Sequence, residues 1–271
     1  MDEKESLNKT NIINMLFIYP KYKDTLELLG LNTFEALWNF PMDWFEPPNH
    51  RRGGWSGVGR VEFTIDQQNS FNVFIKKQEN HGRPTLLNPF AGEPTFRREF
   101  KNLKLLHENH LLAPKVVFYA EANVNGNKRA ILVTEALDDF MSLENLTTEL
   151  VQKTNRDTKR NLIQTVAQSL RKFHEVGMVH RALYPKHIFV KNFKQKPEVA
   201  LIDLEKARFS LNFYYRSFFD LAALNRHAES WTKTQRLKFF MSYFGLDSLS
   251  HHPARFFFKR LCRSIIKRSQ R

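Results

Sequence analysis

A handful of residues along the chain are of types that can handle a phosphate and a divalent cation. Gly53, Gly54, Gly57 and Gly59 in RRGGWSGVGR lack Cβ atoms, which would let backbone amides come close to phosphate oxygens. Lys76, closing VFIK, could bring a cation to the same oxygens, and Glu99 in FRREFKNLKLL could hold that cation in place. Farther on, HRALYPKHIFV carries His180, Arg181 and His187, and ALIDLEKAR carries Asp203, 23 residues after His180. A carboxylate just past an apolar strand is suited to holding Mg²⁺ against phosphates. Each feature alone has a plainer reading: a turn, two solvated strand lysines, a strand-end turn residue. Their order is what carries weight.

Those residues can act only if particular elements hold them. The glycine-rich stretch reads as a turn between two strands, with Val61, Phe63 and Ile65 alternating, and Phe71–Lys76 as the next strand. Alternation then puts Lys76 and Lys77 on opposite faces. Pro94 and Thr95 open a helix from Phe96 to about Glu108, with Phe96, Phe100, Leu103 and Leu106 at helical spacing. Arg97, Arg98 and Lys101 on that helix read as surface charges. Two further strands, Val116–Ala120 and Ala130–Glu135, flank a turn at Asn125–Asn127. Upstream, residues 24–40 read as a helix ended by Pro41. Residues 156–176 form an amphipathic helix on Leu162, Val166, Leu170 and Phe173, stopped by Gly177. From Phe213 onward the pattern is helical. Strands first and helices afterwards predict an α+β chain in two lobes. We divide it into a helical extension (1–48), a β-rich lobe (49–140) and a mainly helical lobe (141–271), the chain crossing between the lobes near Leu137–Leu143.

Composition narrows the classes. With 271 residues, 42% hydrophobic and 25 Phe, the chain can bury a large core and is not disordered. One cysteine, Cys262, excludes a disulfide framework and any multi-cysteine metal site. No apolar run approaches the ~18 residues of a membrane span, and MDEKESLNKT lacks the apolar stretch of a secretory signal. A reducing, cytoplasmic location is the expectation. Of the net charge of +14, half lies between Ala254 and Arg271, where seven basic residues meet no acidic one. A helix there would put Phe258, Leu261, Cys262 and Ile265 on one face. It reads either as a membrane-surface or polyanion contact, or as a terminal helix packing its stripe inward with its cations in water. Nucleic-acid binding ranks last: no recognised motif is present, and no specific nucleic-acid partner is expected.

Set against the protein-kinase pattern H-R-D-L-x-x-x-N, His180 and Arg181 match and His187 takes the Asn place. Asp203 stands where the D-F-G aspartate would be, so the ordered set matches a protein-kinase-like phosphotransferase. The segments RRGGWSGVGR, FIKKQENHG, NPFAGEPTFRREF, HRALYPKHIFV, ALIDLEKAR and FFDLAALNRH resemble the lipopolysaccharide kinase family, in its InaA-type branch, related to the Kdo and heptose kinases of the WaaP type. The resemblance spans about Asn49 to Phe244. It implies a bilobal protein-kinase-like fold, with a small antiparallel β-rich N-lobe bearing one helix and a mainly helical C-lobe. It also implies ATP and Mg²⁺ as cofactors, and an anionic lipopolysaccharide-core sugar or glycolipid as acceptor. By the same resemblance Gly54, Gly57, Gly59 and Lys76 attend the phosphates, and Glu99 partners Lys76. His180 belongs to the catalytic loop, braced by Asp220 from the following helix. Asp203 and His187 take the metal, and the adenine is read near Thr134–Leu137, Glu135 included, by free backbone groups. Such an acceptor implies a cytoplasmic protein, peripheral at the inner face of the inner membrane through residues 254–271.

One departure stands out: Ala182 occupies the place of the catalytic aspartate. A general base is worth ~10²–10⁴-fold, while phosphoryl transfer depends chiefly on positioning and charge stabilisation. The chain could therefore be a slow kinase, could borrow Glu205 or His187 as base, or could be a pseudokinase that binds nucleotide or a partner without turnover. Imidazole is a poorer Mg²⁺ ligand than oxygen, so His187 could instead bond a phosphate or be a buried, backbone-bonded histidine. His174, six residues before His180, fits no i, i+4 zinc pair and reads as packing or bonding near the loop.

Overall fold

The computed structural model describes residues 12–51, 53–66, 68–83, 92–149, 153–248 and 254–269. The chain divides into two compact units, Met1–Lys101 with Lys115–Ala136, and Asn102–Pro114 with Leu137–Arg271.

Unit 1 is a six-stranded antiparallel sheet with helices. Its elements are β1 (Ile12–Ile18), α1 (Lys23–Leu28), α2 (Phe34–Asn39), β2 (Glu46–Arg51), β3 (Gly54–Thr64), β4 (Ser70–Glu79), the two-residue pair β5 (Gly82–Arg83) and β6 (Glu93–Pro94), α3 (Thr95–Glu108, whose second half belongs to unit 2), β7 (Val116–Val124) and β8 (Asn127–Glu135). The strand order is β1-β7-β8-β4-β3-β2. The expected helix over 24–40 is two short helices. Gly30 takes a left-handed conformation (φ +67°), and Leu31 N–H donates back to Leu26 O at 2.7 Å, which closes α1. Thr33 then caps α2, its hydroxyl accepting from Ala36 N–H. Residues 12–18, placed within a helical extension from the sequence, are instead the edge strand β1, paired with β7. The segment around α1 and α2 seals one sheet face: Tyr22, Leu26, Phe34 and Leu37 bury against Phe63, Ile75, Val117 and Ile131. On the other face α3 packs Phe100 flat on Tyr119, rings 4.3 Å apart.

Unit 2 holds β9 (Met141–Ser142), α4 (Leu143–Glu149), α5 (Arg156–Glu175), β10 (Met178–Val179), β11 (Ile188–Lys191), β12 (Glu198–Leu201), β13 (Arg208–Phe209), α6 (Phe213–His227), α7 (Lys233–Phe244) and α8 (Ala254–Ser269). Asn155 caps α5, which buries Leu162, Val166, Leu170 and Phe173 and ends before Gly177 at φ +92°. The Phe209 ring lies where a side chain on Gly177 would begin, 2.2 Å from a Cβ built there. Short antiparallel pairs, β9 with β11, β11 with β12 and β10 with β13, shape the loops between the helices. A capping box at Thr232 and Gln235 starts α7. The α8 stripe packs inward: Phe258 meets Phe240 at 4.8 Å, Phe257 meets Phe244 at 5.3 Å, and Leu261 is buried. The side chains of Cys262 and Ile265 lie outside the described residues. Among the described residues no helix is long and apolar enough to cross a membrane.

Candidate active site

In unit 1 the chemistry starts on β4. Val73, Ile75 and Lys77 face the α1–α2 side, so Lys76 and Gln78 face α3. Lys76 Nζ donates to Glu99 Oε1 at 2.5 Å, with the lysine side chain 23% exposed and the glutamate 5%. Gln78, which the sequence reading passed over, sets that distance. Its Oε1 accepts from Thr95 Oγ1 (3.0 Å) and Phe96 N–H (3.1 Å), and its Nε2 donates to His81 O (2.8 Å). Two strand residues span ~6.6 Å and four helix residues ~6 Å. A helix pinned at Thr95 over Gln78 therefore brings Glu99 to Lys76. Strand alternation was the available signal, since Gln78 is a polar residue two places after Lys76 on the same face. A second anchor fixes α3. Arg97 forms a two-armed pair with buried Glu121, whose carboxylate also accepts from the Tyr119 hydroxyl, so Arg97 is not a loose surface charge. Its bond to Glu121 holds the Arg97 guanidinium well above its usual range, and burial pushes the Tyr119 phenol up.

On the opposite face Lys77 is buried, donating to Trp38 O (2.8 Å) and Phe40 O (2.9 Å), and burial pulls its ammonium down to about 8. It braces the end of α2. Gly57 and Gly59 pair with Lys77 and Ile75, so their open sides share that face and point away from Lys76. A Cβ on Gly57 would strike the Trp44 ring at 2.5 Å, and one on Gly59 would meet Asp43 O and Met42 Sδ at 2.8 Å. The empty space at these two glycines is thus taken by the protein's own segment 42–45. Arg51 pairs with Gly54 at the end of the hairpin, and Gly53 takes φ +75°. Gly54 lets β3 cross close to the Glu79–Asn80 backbone. The stretch expected to read adenine is also partly committed: Glu135 N–H donates to Lys115 O and Ala136 N–H to Asn72 O, both at 2.8 Å. Those amides are not free, because they end the sheet.

In unit 2 a buried carboxylate organises the loop. Asp220 on α6 accepts from His180 N–H (2.6 Å), Arg181 N–H (2.9 Å) and His174 Nε2 (3.0 Å). His174 Nδ1 lies 2.5 Å from the Tyr243 hydroxyl, itself 2.7 Å from Ser217 Oγ. With Nε2 of His174 protonated towards Asp220, Nδ1 accepts from Tyr243 and every member of the chain has a partner. Burial pushes the Tyr243 phenol up, which keeps it a donor. His174 is therefore a link in the network that anchors the loop. Burial likewise lowers His180; the neutral ring donates Nε2–H to Ile202 O at 2.9 Å, just ahead of Asp203. His180 thus positions the Asp203 segment.

His187 Nδ1 faces Ala182 O at 2.7 Å, which requires the proton on Nδ1, and its Nε2 lies 3.5 Å from Asp203 Oδ2. With Nδ1 donating to Ala182 O, Nε2 is the ring nitrogen that faces a carboxylate 38% exposed. Asp203 takes a left-handed conformation (φ 58°), and Arg181 does too (φ 68°). Asn102 on α3 bonds Leu204 O and Ala207 O, fixing the short turn that follows Asp203. Ala182 is buried and offers no polar side-chain atom. The carboxylate suits a divalent cation that takes its other ligands from phosphates and water, as Mg²⁺ does, while the imidazole nitrogen beside it is a weaker ligand for that ion and could instead meet a phosphate. Among the described residues no cluster of three or more His, Cys, Asp or Glu forms a closed metal cage. An apolar cavity of about 730 Å³ between α6, α7 and α8 shares no residue with this cluster.

Comparison with known proteins speaks to the family and the fold. The lipopolysaccharide kinase (Kdo/WaaP) family matches residues 35–243. Protein InaA of Escherichia coli (strain K12) is 32% identical over 176 residues, covering 65% of this chain and 78% of the relative. The structure of WaaP in complex with acyl carrier protein superposes with a TM-score of 0.67 at 20% identity, over 94% of this chain and 98% of that one, which fixes the fold as kinase-like α+β. The chain belongs to the lipopolysaccharide kinase (Kdo/WaaP) family.

Proposed function

We propose that the protein transfers the γ-phosphoryl group of ATP to a hydroxyl of an anionic lipopolysaccharide-core sugar. What supports the reading most is the His187–Asp203 pair, 3.5 Å apart on a loop hung from a buried aspartate, in a chain of this family. Lys76, steadied by Glu99, would take phosphate oxygens. Asp203 and His187 would hold Mg²⁺, which supplies charge neutralisation at the phosphates. His180 keeps Ile202, and so Asp203, in place. The acceptor hydroxyl oxygen forms the new P–O bond as the bond to the ADP oxygen breaks, and the hydroxyl proton departs. With alanine at 182, that proton has no aspartate to receive it; Glu205, in the turn after Asp203, is a candidate acceptor. A loose transition state needs little help from a base, so the expected penalty is at most the ~10²–10⁴-fold of general-base catalysis. The acceptor would be met at the cytoplasmic face of the inner membrane.

Ala182 also supports a second reading, a nucleotide-binding scaffold without turnover. Purified protein with radiolabelled ATP, Mg²⁺ and core oligosaccharide separates the two. Label transfer that is lost in Asp203→Asn supports the kinase, and ATP binding without transfer supports the scaffold. Neither binding nor transfer sinks both.

A further inference from the structure

We propose that residues 206–219, together with the first turns of α8, form a docking face for an anionic lipid bilayer. The proposal deepens the kinase reading by naming how a membrane-held acceptor is met, and it is tested without turnover.

The face carries apolar side chains that water should not be left to cover. Leu211 is 89% exposed, Phe256 78%, Tyr214 68% and Phe209 64%. They are neighbours in unit 2: Phe209 and Leu211 lead directly into the Asn212 cap of α6, and Tyr214 meets Phe257, next to Phe256, with rings 6.4 Å apart. Around them Lys206, Arg208, Arg255, Lys259, Arg260 and Arg263 are exposed. Residues 206–219 and 254–269 contain no Asp or Glu. Aromatic rings set among cations of a single sign suit the interface of a negatively charged leaflet. A second copy of the chain fits poorly, because a two-fold contact would press these cations against their own images. Leu211, the most exposed of them, has neither a ring to stack on a base nor a hydrogen-bonding group, which favours acyl chains over bases.

The stripe that the sequence singled out on α8 is not what makes contact, since its Phe258 and Leu261 pack inside, as does the neighbouring Phe257. The outer side of α8 and the approach to α6 do. That approach adjoins the loop chemistry: Lys206 is three residues after Asp203, and the Arg181 guanidinium lies over Phe219, 5.8 Å from the ring centre. A sugar headgroup at a bilayer surface would be presented beside Asp203.

The test is co-sedimentation with vesicles of phosphatidylcholine alone, or of equal parts phosphatidylcholine and phosphatidylglycerol. The protein should pellet with the mixed vesicles only, and less so as salt rises. Arg255→Glu with Lys259→Glu should weaken binding at least about 25-fold, about five-fold for each cation lost. Leu211→Ser with Phe256→Ser should leave only binding that added salt removes. Both double variants should unfold at the wild-type temperature. Equal binding to both vesicles, no binding to either, or indifference to both double variants overturns the proposal. So does a self-association, or a preference for duplex DNA over mixed vesicles, that the same variants abolish. Vesicle binding without label transfer would sink the kinase reading and leave this face standing; the reverse result would do the opposite.

Discussion

The Lys76 cluster and the Asp220 cluster are held by opposite means. Lys76 is tethered by its ion pair to Glu99, with its side chain still 23% exposed, and the strand and helix behind it are set by Gln78 and Arg97. The His180–Arg181 loop hangs instead from a carboxylate without exposure, which serves two backbone amides and an imidazole at once. A partly exposed pair can exchange partners at little cost, whereas a buried acceptor with three donors has no substitute. The first arrangement suits a lysine that must turn to a phosphate. The second suits a loop that must not move.

The largest expected effect follows from that contrast. Asp220→Ala strands two amides and His174 Nε2–H in the interior and should cost ~3–5 kcal/mol in denaturant unfolding. Asp220→Asn keeps one acceptor oxygen and should cost less. A loss below ~1 kcal/mol for the alanine variant would break the comparison, since the loop would then be held by something other than its carboxylate. Next comes Gln78→Leu, which removes the acceptor for Thr95 and Phe96 and should cost ~1–3 kcal/mol. Nucleotide affinity should fall with it as Glu99 drifts from Lys76.

Titration separates the clusters further. Lys77 moves from an ordinary 10.5 to about 8 on folding. Between those values the unfolded chain keeps a proton that the folded chain has released, so unit 1 should gain stability as pH rises from about 8 to about 10.5. Lys77→Met should flatten that rise. His180 is lowered from 6.5, so below about 6.5 the unfolded chain takes up a proton that the fold refuses, and unit 2 should lose stability towards acid. Hydrogen exchange followed in each unit would report both slopes. The smallest stability effect should be Asp203→Asn, within ~0.5 kcal/mol, because asparagine tolerates the left-handed backbone and the site is half open. That same variant should abolish label transfer.

The long periodic elements were legible in the sequence: α5 from its apolar stripe and its glycine stop, α3 from its apolar spacing, and the opposed faces of Lys76 and Lys77 from alternation. β1 was not, because what makes residues 12–18 a strand is β7, a hundred residues away in the chain. Gly57 and Gly59 were readable only as absences. Whether a missing Cβ admits a phosphate or a tryptophan depends on where Trp44 folds back, and no local pattern records that. His174 was placed near the loop, but its partner Tyr243 lies 69 residues on, beyond any spacing rule.

Gly177 shows where such long-range dependence becomes most severe. The Phe209 ring fills the place its side chain would take, and its own backbone is left-handed. A screen that tried every amino acid along α5 and the turn after it should therefore find position 177 closed to all but glycine, although no charge, proton or ligand is at stake there. Alanine would have to strain its own backbone and push the Phe209 ring aside, two costs that fall on a turn carrying no chemistry of its own.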